Sequence, residues 1–246
     1  MGEGHSVSWI TQLTPSVLED HRITAIPSSV YYIPHFVSPS IQANLLSSLP
    51  ANKWTNLTHR RLQAHPSPLS KSNTLLDSPL PAWLTDPILP RFSALGLFTQ
   101  SPHKAPNHCL INEYAPGEGI MPHEDGGAYW PCVATISLAG SVVLDIYPKN
   151  EDGTMCKEPR WRVLQEPGSL LVTTGEVYVN TLHGIADVEV DEDLGPATVA
   201  NWALLGDRAV VEREGGQNKR VTRTSLTFRD VLKVSNAGAR ILGGRR

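Results

Sequence analysis

Residues 121–126 of this 246-residue chain read Met-Pro-His-Glu-Asp-Gly, and they follow a predicted strand and a Pro- and Gly-containing turn at 115–119. Side chains alternate along an extended segment, so His123 and Asp125 point to one side while Glu124 points to the other. Two donors on the same side can converge on one metal ion. A histidine in a turn and an aspartate that caps it would give the same spacing, so the rest of the chain has to decide between the two interpretations.

The sequence around this motif indicates a protein made mainly of strands. Strands are predicted at 30–34, 108–114, 133–138, 142–147, 160–164, 169–173, 178–183 and 223–233, with short helices at 40–46 and roughly 81–95. The 19 Gly and 20 Pro residues and a charged fraction of only 18% suit strands joined by turns. No interval carries the helices that parallel strands need, so we predict a mainly β domain with flanking helices and an antiparallel sandwich or barrel.

The domain organisation is predicted from composition. Residues 1–29 are polar and indicate a flexible N-terminal arm, residues 30–235 form the domain, and residues 236–246 form a basic C-terminal tail. Within the domain, residues 51–105 are predicted to be long loops around the helix near 81–95. Loops of this length are uncommon unless they bind something or are disordered. Their aromatic and basic residues favour a lid, and a disordered connection is the alternative.

A second histidine, His183, lies at the end of a predicted strand, 58 positions after Asp125. That distance allows the chain to cross to an opposing sheet and return. Two imidazoles and one carboxylate form the facial donor set of nonheme Fe(II), which leaves coordination positions open, whereas a closed four-ligand zinc site does not. An iron that binds a bidentate 2-oxo acid and O₂ together needs those positions. His123, Asp125 and His183 therefore predict a ferrous oxygenase site.

The predicted strand at 223–233 supplies cations for such an acid. If it is extended, one of its faces carries Arg223, Ser225, Thr227 and Arg229. The planar guanidinium group matches a carboxylate, and two arginines on an inward face would be costly without an anionic partner. On another strand, Asn112 and Tyr114 share a face and can donate hydrogen bonds to carboxylate oxygens.

The run Asn-Glu-Tyr-Ala-Pro-Gly-Glu-Gly-Ile-Met-Pro-His-Glu-Asp-Gly at 112–126 and Thr-Ile-Ser-Leu at 135–138 resemble AlkB-type Fe(II)/2-oxoglutarate-dependent dioxygenases, in the branch called AlkB homologue six. The resemblance covers roughly residues 30–235 and implies a double-stranded β-helix, or jelly-roll, core. It implies that iron is held by His123, Asp125 and His183. It also implies that 2-oxoglutarate is held by Asn112, Tyr114, Arg223 and Arg229, with Arg223 on the far carboxylate.

Two departures from the family pattern affect this expectation. Ser225 stands where the bacterial pattern has Asn, so it becomes a cosubstrate-binding candidate with an altered contact. Residues 184–222 are longer than the connection in the shortest family members and are interpreted as an insertion. Its acidic stretch at 187–193 would repel a polyanionic substrate if it lay at the mouth of the site.

The resemblance implies an oxidoreductase that demethylates alkylated DNA or RNA by hydroxylating an N-methyl group, with loss of formaldehyde and conversion of 2-oxoglutarate and O₂ to succinate and CO₂. In the family a lid precedes the core, and here Trp54, Arg60 and Arg61 are its candidates, with Tyr129 after the motif. Such residues suit single-stranded or flipped nucleotides. A protein or small-molecule hydroxylase on the same scaffold remains an alternative, as does a nucleic-acid-binding module without turnover.

Net charge, cysteine content and the length of apolar runs indicate which partners and which compartment to expect. The net charge of −3 gives no general attraction to polyanions, although the tail with Arg240, Arg245 and Arg246 suits either phosphate contact or simple solvation. The three cysteines form no CxxC pair and leave one unpaired in any scheme, which favours a reducing compartment. Because no apolar run is long enough for a membrane span and no signal peptide is evident, we expect an intracellular monomer, cytoplasmic or nuclear, without membrane association.

Overall fold

The computed structural model describes residues 18–27, 30–150 and 152–235. Its strands are β1 (Val30–Ile33), β2 (Thr55–Asn56), β3 (Arg61–His65), β4 (Thr74–Leu76), β5 (His108–Tyr114), β6 (Ile120–His123), β7 (Tyr129–Leu138), β8 (Val142–Pro148), β9 (Trp161–Gln165), β10 (Leu170–Thr174), β11 (Thr181–Ile185), β12 (Val190–Asp191), β13 (Asn218–Lys219), β14 (Arg223–Val231) and β15 (Lys233–Ser235). Its helices are α1 (Pro39–Ser47), α2 (Ala82–Thr85), α3 (Leu89–Ala94), α4 (Gly175–Asn180) and α5 (Arg208–Arg213), with 3₁₀ turns at Ala51–Lys53 and Trp202–Leu204. The prediction of a mainly β chain is confirmed.

Two antiparallel sheets form the body of the domain. The large sheet has the order β1-β10-β7-β14-β5-β3-β2, and the small sheet has the order β6-β11-β8-β9. Strand β14 lies between β5 and β7, and all nine of its residues are buried. Residues from both sheets line one cavity, so the sheets face each other as the two layers of the predicted jelly-roll core.

Helices cover the outer face of the large sheet. Leu45 of α1, Leu84 of α2 and Phe92 of α3 are buried in one cluster with apolar residues of the sheet. The ring of Phe92 meets the ring of Phe228 on β14 edge to face at 5.2 Å. Helix α1 begins as its sequence predicts, because the Ser38 side chain accepts a hydrogen bond from the Ile41 backbone N–H at 3.3 Å. These contacts cover the outer face of the large sheet, and its other face lines the cavity.

Part of the predicted N-terminal arm belongs to the domain. Ile23 and Ile26 are fully buried beside Tyr32, and the Ile23 N–H donates to the Val30 carbonyl at 2.8 Å. The expectation of a flexible arm is therefore wrong for residues 18–27, because two isoleucines within a polar stretch are enough to anchor it. The rest of the predicted arm and the basic tail at 236–246 lie outside the described residues.

The strand predicted at 178–183 differs from the structure in its first half. Residues 175–180 form α4, and β11 begins only at Thr181. The Thr181 hydroxyl donates to the carbonyl of Val177 at 2.6 Å, which closes the end of the helix. Alternating apolar residues predicted a strand here, but a six-residue helix depends on such local bonds and on packing, neither of which the alternation reports.

The segment predicted as lid loops is more regular than expected. Within residues 51–105, β3 pairs with β5 and extends the large sheet, β2 pairs with β3 as its edge strand, and β4 pairs with β15. The helix predicted near 81–95 is two helices, with Pro87 between α2 and α3. Proline removes a backbone donor, which explains the break.

The insertion at 184–222 packs on the small sheet. Leu194, Trp202 and Val211 are buried against Val143 and Leu164. Asp191, from the acidic stretch, is buried in an ion pair with Arg220, whose nearest nitrogen–oxygen distance is 2.5 Å. This carboxylate is neutralised inside the domain and cannot repel a substrate at the surface. Among the helices of the described residues, none is long and apolar enough to cross a membrane.

Candidate metal and cosubstrate site

A cavity of about 300 Å³ lies between the two sheets. The large sheet contributes its lining from β5, β7, β10 and β14, and the small sheet contributes from β6, β8 and β11. Because side chains alternate along a strand, the inward positions of β5 and β14 are those predicted from the sequence. The candidates that line the cavity are Arg60, Asn112, Tyr114, His123, Asp125, Tyr129, His183, Arg223, Ser225 and Arg229.

The three predicted metal ligands meet at the mouth of this cavity. One ligand atom each from His123, Asp125 and His183 lies within 4.8 Å of the others. The two histidines are register partners on β6 and β11, and their ring centroids are 4.5 Å apart. Asp125 follows the end of β6, just before Gly126, whose φ of +84° turns the chain. Spacing along one strand and pairing between two strands together build this cluster.

The protonation of both imidazoles suits metal binding. The His123 Nδ1 lies 3.0 Å from the Met121 carbonyl oxygen, which can only accept a hydrogen bond, so this nitrogen carries the proton and Nε2 is left as a donor to metal. Burial lowers the pKa of His183 to about 4. This imidazole is therefore neutral at physiological pH, which is the form that coordinates a metal.

Asp125 is oriented from the large sheet. Its carboxylate forms a buried ion pair with the guanidinium of Arg229 on β14. The Arg229 guanidinium also lies over the ring of Tyr129, 4.8 Å from the ring centroid, and its Nε finds no hydrogen-bond partner among the described residues. The Asp125 carboxylate is thus held by the Arg229 guanidinium, and a second anion could bind to the same guanidinium.

Arg223 is a buried cation with neutral partners. Its Nη2 donates to the hydroxyl of Ser137 at 2.8 Å and to the side-chain oxygen of Gln165 at 3.1 Å. Among the described residues no carboxylate forms an ion pair with it. Burial lowers the pKa of Arg223 to about 10, so the group stays charged at neutral pH. A buried positive charge that faces a cavity without a counter-charge is suited to an anionic ligand.

Asn112 and Tyr114 lie beside Arg223 on the same wall of the cavity. Tyr114 is buried, and burial raises the pKa of its phenol, so its O–H remains a donor. The Asn112 carbonyl oxygen accepts a hydrogen bond from Arg60 Nε at 3.2 Å. Ser225 faces the same space from β14, where it is the register partner of Asn112. These donors surround the position that the Arg223 charge makes favourable for a carboxylate.

The four substrate candidates fall into two groups. Arg60 and Tyr129 line the cavity, whereas Trp54 and Arg61 do not. Arg61 forms an ion pair with Glu113 at 2.6 Å and lies over the Trp54 ring at 4.4 Å from its centroid. Arg60 lies in the turn just before β3 and its side chain lines the cavity, whereas Arg61, the first residue of β3, is engaged by Glu113 outside the cavity. The structure thus brings two of the four candidates, Arg60 and Tyr129, to the cavity wall.

Several residues of the site were not predicted. Ser137 and Gln165 hold Arg223, and Tyr178 of α4 donates from its hydroxyl to the Gly126 carbonyl at 2.6 Å. Lys149 forms an ion pair at 2.9 Å with Glu124, the residue between His123 and Asp125, which also lines the cavity. Ser137 lies within the run at 135–138 and could have been found there. The others have no local signal, because their roles arise only from strands and helices distant in sequence.

A model of the 2OG-Fe(II) oxygenase superfamily matches residues 29–229. The Danio rerio protein named "Probable RNA/DNA demethylase ALKBH6" is 38% identical over 229 residues, which cover 89% of this chain and 93% of that protein. The Xenopus tropicalis protein named "tRNA (carboxymethyluridine(34)-5-O)-methyltransferase alkbh8" is 29% identical over 225 residues, 87% of this chain but only 33% of that protein. This chain thus spans nearly all of the first relative and about a third of the second.

Among solved structures, "The structure of OsALKBH1" aligns with 83% of this chain and 98% of its own, with a TM-score of 0.52 and 13% sequence identity. At that identity the likeness concerns the fold alone. It agrees with the arrangement of two facing antiparallel sheets described above.

Proposed function

Because this chain belongs to the 2OG-Fe(II) oxygenase superfamily and is therefore an oxidoreductase, we propose that it demethylates alkylated nucleic acid at an iron held by His123, Asp125 and His183. One observation carries the proposal. The ligand atoms of these residues lie within 4.8 Å of one another, in the same cavity as a buried guanidinium that has no carboxylate partner among the described residues.

The residues fit the groups that the family implies. Two imidazoles and one carboxylate suit Fe(II) and leave room for further ligands. Arg223 offers its charge to the far carboxylate of 2-oxoglutarate, with Asn112 and Tyr114 as hydrogen-bond donors beside it. When bound, iron, 2-oxoglutarate and O₂ supply the oxidising power that inserts an oxygen atom into a C–H bond of the substrate.

The residues of the chain bind the cosubstrate, orient the metal ligands and exclude water from the cavity. Arg223 fixes one end of the dicarboxylate, and its own orientation is set by Ser137 and Gln165. Arg229 keeps the Asp125 carboxylate in place. Apolar residues of both sheets, Leu110, Val133, Leu144, Ile146 and Leu171, form part of the remaining wall. A largely dry wall keeps water from competing with the substrate for the reactive centre.

Nucleic acid is proposed as the substrate because the Danio rerio relative is named an RNA/DNA demethylase and because Arg60 and Tyr129 lie on the cavity wall. An aromatic ring and a guanidinium are what an unpaired base and its phosphate need. A cavity of about 300 Å³ that also holds 2-oxoglutarate admits one base and no duplex. Hydroxylation of an N-methyl group gives an unstable carbinolamine, which loses formaldehyde and leaves the unmodified base.

The test begins with an anaerobic titration of the protein with Fe(II) and 2-oxoglutarate, read by the visible absorption band of the metal and oxo acid. O₂-dependent release of succinate and formaldehyde is then measured with methylated single-stranded DNA, RNA and peptides. We expect both products with an oligonucleotide, and none with Asp125→Ala.

Three other outcomes would contradict the proposal. The lack of an absorption band would remove the iron site. Succinate release with a methylated peptide alone would indicate a protein hydroxylase. Oligonucleotide binding that is unchanged by Asp125→Ala, without turnover in the natural protein, would indicate a binding module.

A further inference from the structure

Two adjacent arginines near the cavity have different environments. Arg60 lies in the 57–60 turn that joins β2 to β3, which the Leu57 N–H closes by donating to the Arg60 carbonyl at 2.8 Å. Its side chain lines the cavity, whereas the side chain of Arg61 is engaged by Glu113 on the opposite face of the sheet. This turn lies at the edge of the large sheet, because β2 is its last strand. The side chain of Arg60 thus extends from a turn at the edge of the sheet into the cavity.

The contact that Arg60 makes there is directional. Its Nε donates to the carbonyl oxygen of Asn112 at 3.2 Å. An amide side chain has its acceptor and its donor on opposite branches, so a carbonyl oxygen held by Arg60 leaves the NH₂ group to point elsewhere. Asn112 is buried on the cavity wall, so that NH₂ group is available to an anion in the cavity. Without Arg60 the amide could rotate and present its oxygen, which repels a carboxylate.

Arg60 also brings charge to this wall. Among the described residues, no carboxylate lies within ion-pair distance of its guanidinium. Tyr114 experiences the charges of Arg223 and Arg60 together, and both lower its pKa against the larger effect of burial. Arg60 therefore lies near Asn112 and Tyr114, close to the position proposed for the dicarboxylate.

We propose that Arg60 is a positioning residue for 2-oxoglutarate: it fixes the Asn112 amide and thereby links the order of the 57–60 turn to the occupancy of the cosubstrate site. The inference rests on the proposed function, because it needs 2-oxoglutarate in this cavity. It differs from a role of Arg60 in substrate binding alone, since it acts before any substrate is present.

The first measurement is the affinity for 2-oxoglutarate, by anaerobic titration in the presence of Fe(II) and without substrate. We expect Arg60→Gln to raise the dissociation constant about ten-fold, the typical value of one hydrogen bond to a charged group. Arg61→Gln is the matched control, because it removes the neighbouring arginine from the other face, and it should leave the dissociation constant unchanged. Thermal melting checks that both variants are folded.

A double-mutant cycle separates action through Asn112 from direct contact with the cosubstrate. If Arg60 acts through the amide, Arg60→Gln in an Asn112→Ala background should change the dissociation constant by less than about two-fold. A full ten-fold effect in that background would overturn the proposal in favour of direct contact.

The second measurement compares the natural protein with Arg60→Gln. Hydrogen–deuterium exchange of the peptide that covers 57–60 should slow when 2-oxoglutarate binds to the natural protein, and should not slow in Arg60→Gln. Equal affinity of the natural protein and Arg60→Gln, with unchanged exchange of the turn, overturns the inference and leaves the proposed function intact. Failure of the natural protein to bind 2-oxoglutarate at all refutes both.

Discussion

At the scale of single residues, Arg223 has the most demanding environment, since it is buried among neutral partners and faces the cavity. We expect Arg223→Met to weaken 2-oxoglutarate binding about 100-fold, because a charge-assisted contact in a dry site is lost. The same change should leave the free energy of unfolding the same or higher, because an uncompensated buried charge is removed. Titration and urea unfolding measure the two effects. A fall in stability with unchanged binding would contradict the assignment.

The ionisation of Arg223 sets a pH limit on that binding. Burial lowers the pKa of Arg223 to about 10, and the group is positive below that value. Affinity for 2-oxoglutarate should therefore be insensitive to this residue between pH 7 and 9, and should fall as the pH rises through about 10. A titration series over this range checks the direction.

His108 makes a separate pH prediction, for stability. Burial, and after it the charge of Arg229, lowers the pKa of His108 to about 4. Between this value and the ordinary value near 6.5, the unfolded chain binds a proton that the folded one does not, so stability should fall as the pH drops from 6.5 to 4. The loss from this residue is on the order of 3 kcal/mol.

The variant His108→Phe isolates this contribution. It keeps a flat ring beside Tyr129, whose centroid lies 6.3 Å from that of His108, and it removes the titrating group. Urea midpoints at pH 7 and pH 4.5 should differ less in the variant than in the natural protein. An equal difference in the two proteins would refute the assignment.

For single residues, the sequence predicted those positions that follow from the alternation of side chains along a strand. The spacing of His123 and Asp125, and the inward face with Arg223 and Arg229, follow from the period of an extended chain, and the structure has them in one cavity. The contacts of Arg223 with Ser137 and Gln165 do not follow from alternation, because only the packing of the two sheets brings these side chains together, although Ser137 itself lies in the run at 135–138.

At the scale of elements, the approach of the turn at 115–119 to β11 fixes the position of β6 and its histidine. A Cβ on Gly119 would lie 2.2 Å from the carbonyl oxygen of Ile185, a backbone atom that cannot move aside. We expect Gly119→Ala to lower the free energy of unfolding by about 2–4 kcal/mol and to weaken Fe(II) binding, because β6 is displaced from β11.

Gly195→Ala is the matched control for this test, because a Cβ there meets nothing within 4 Å. It should leave both the unfolding midpoint and the Fe(II) affinity within error of the natural protein. If Gly119→Ala behaved in the same way, the close approach of the two backbones would not be what holds β6.

Most elements could be predicted, and the exceptions share a cause. The strand at 108–114 was predicted with its observed bounds. Helix α4 and strand β3 were among the elements missed, because a short helix is stabilised by its surroundings and a short strand by its neighbours in the sheet. Neither leaves a periodic pattern in so few residues.

At the scale of the whole molecule, residues 18–27 complete the cluster between the sheets. Ile26 is fully buried, together with Ile23 and Tyr32. We expect Ile26→Ala to lower the free energy of unfolding by about 2–5 kcal/mol, the cost of removing a large side chain from a packed core. Calorimetry of the full chain measures it. A change in the free energy of unfolding below about 0.5 kcal/mol would instead support the flexible arm that the sequence predicts.

The fold as a whole was predicted from turns, strand signals and the resemblance of 112–126, whereas the packing of the insertion at 184–222 on the small sheet was not. The acidic stretch at 187–193 was interpreted as surface charge, since the sequence does not show that Asp191 pairs with Arg220 inside the domain. Burial of an ion pair depends on distant partners. Composition alone therefore misplaced one acid of the stretch, whereas Asp187, Glu189, Glu192 and Asp193 are exposed.

The two strands β14 and β6, which carry residues of the site, are unequally buried, so mild denaturation should disrupt them at different urea concentrations. The arginines lie on β14, which is paired on both sides and buried throughout, whereas His123 lies on β6, the four-residue outer strand of the small sheet. Peripheral strands detach before central ones. At low urea concentrations the protein should therefore lose Fe(II) from the proposed site while the proposed dicarboxylate site on β14 persists. Inactivation would then precede global unfolding and be reversed by dilution into buffer that contains Fe(II).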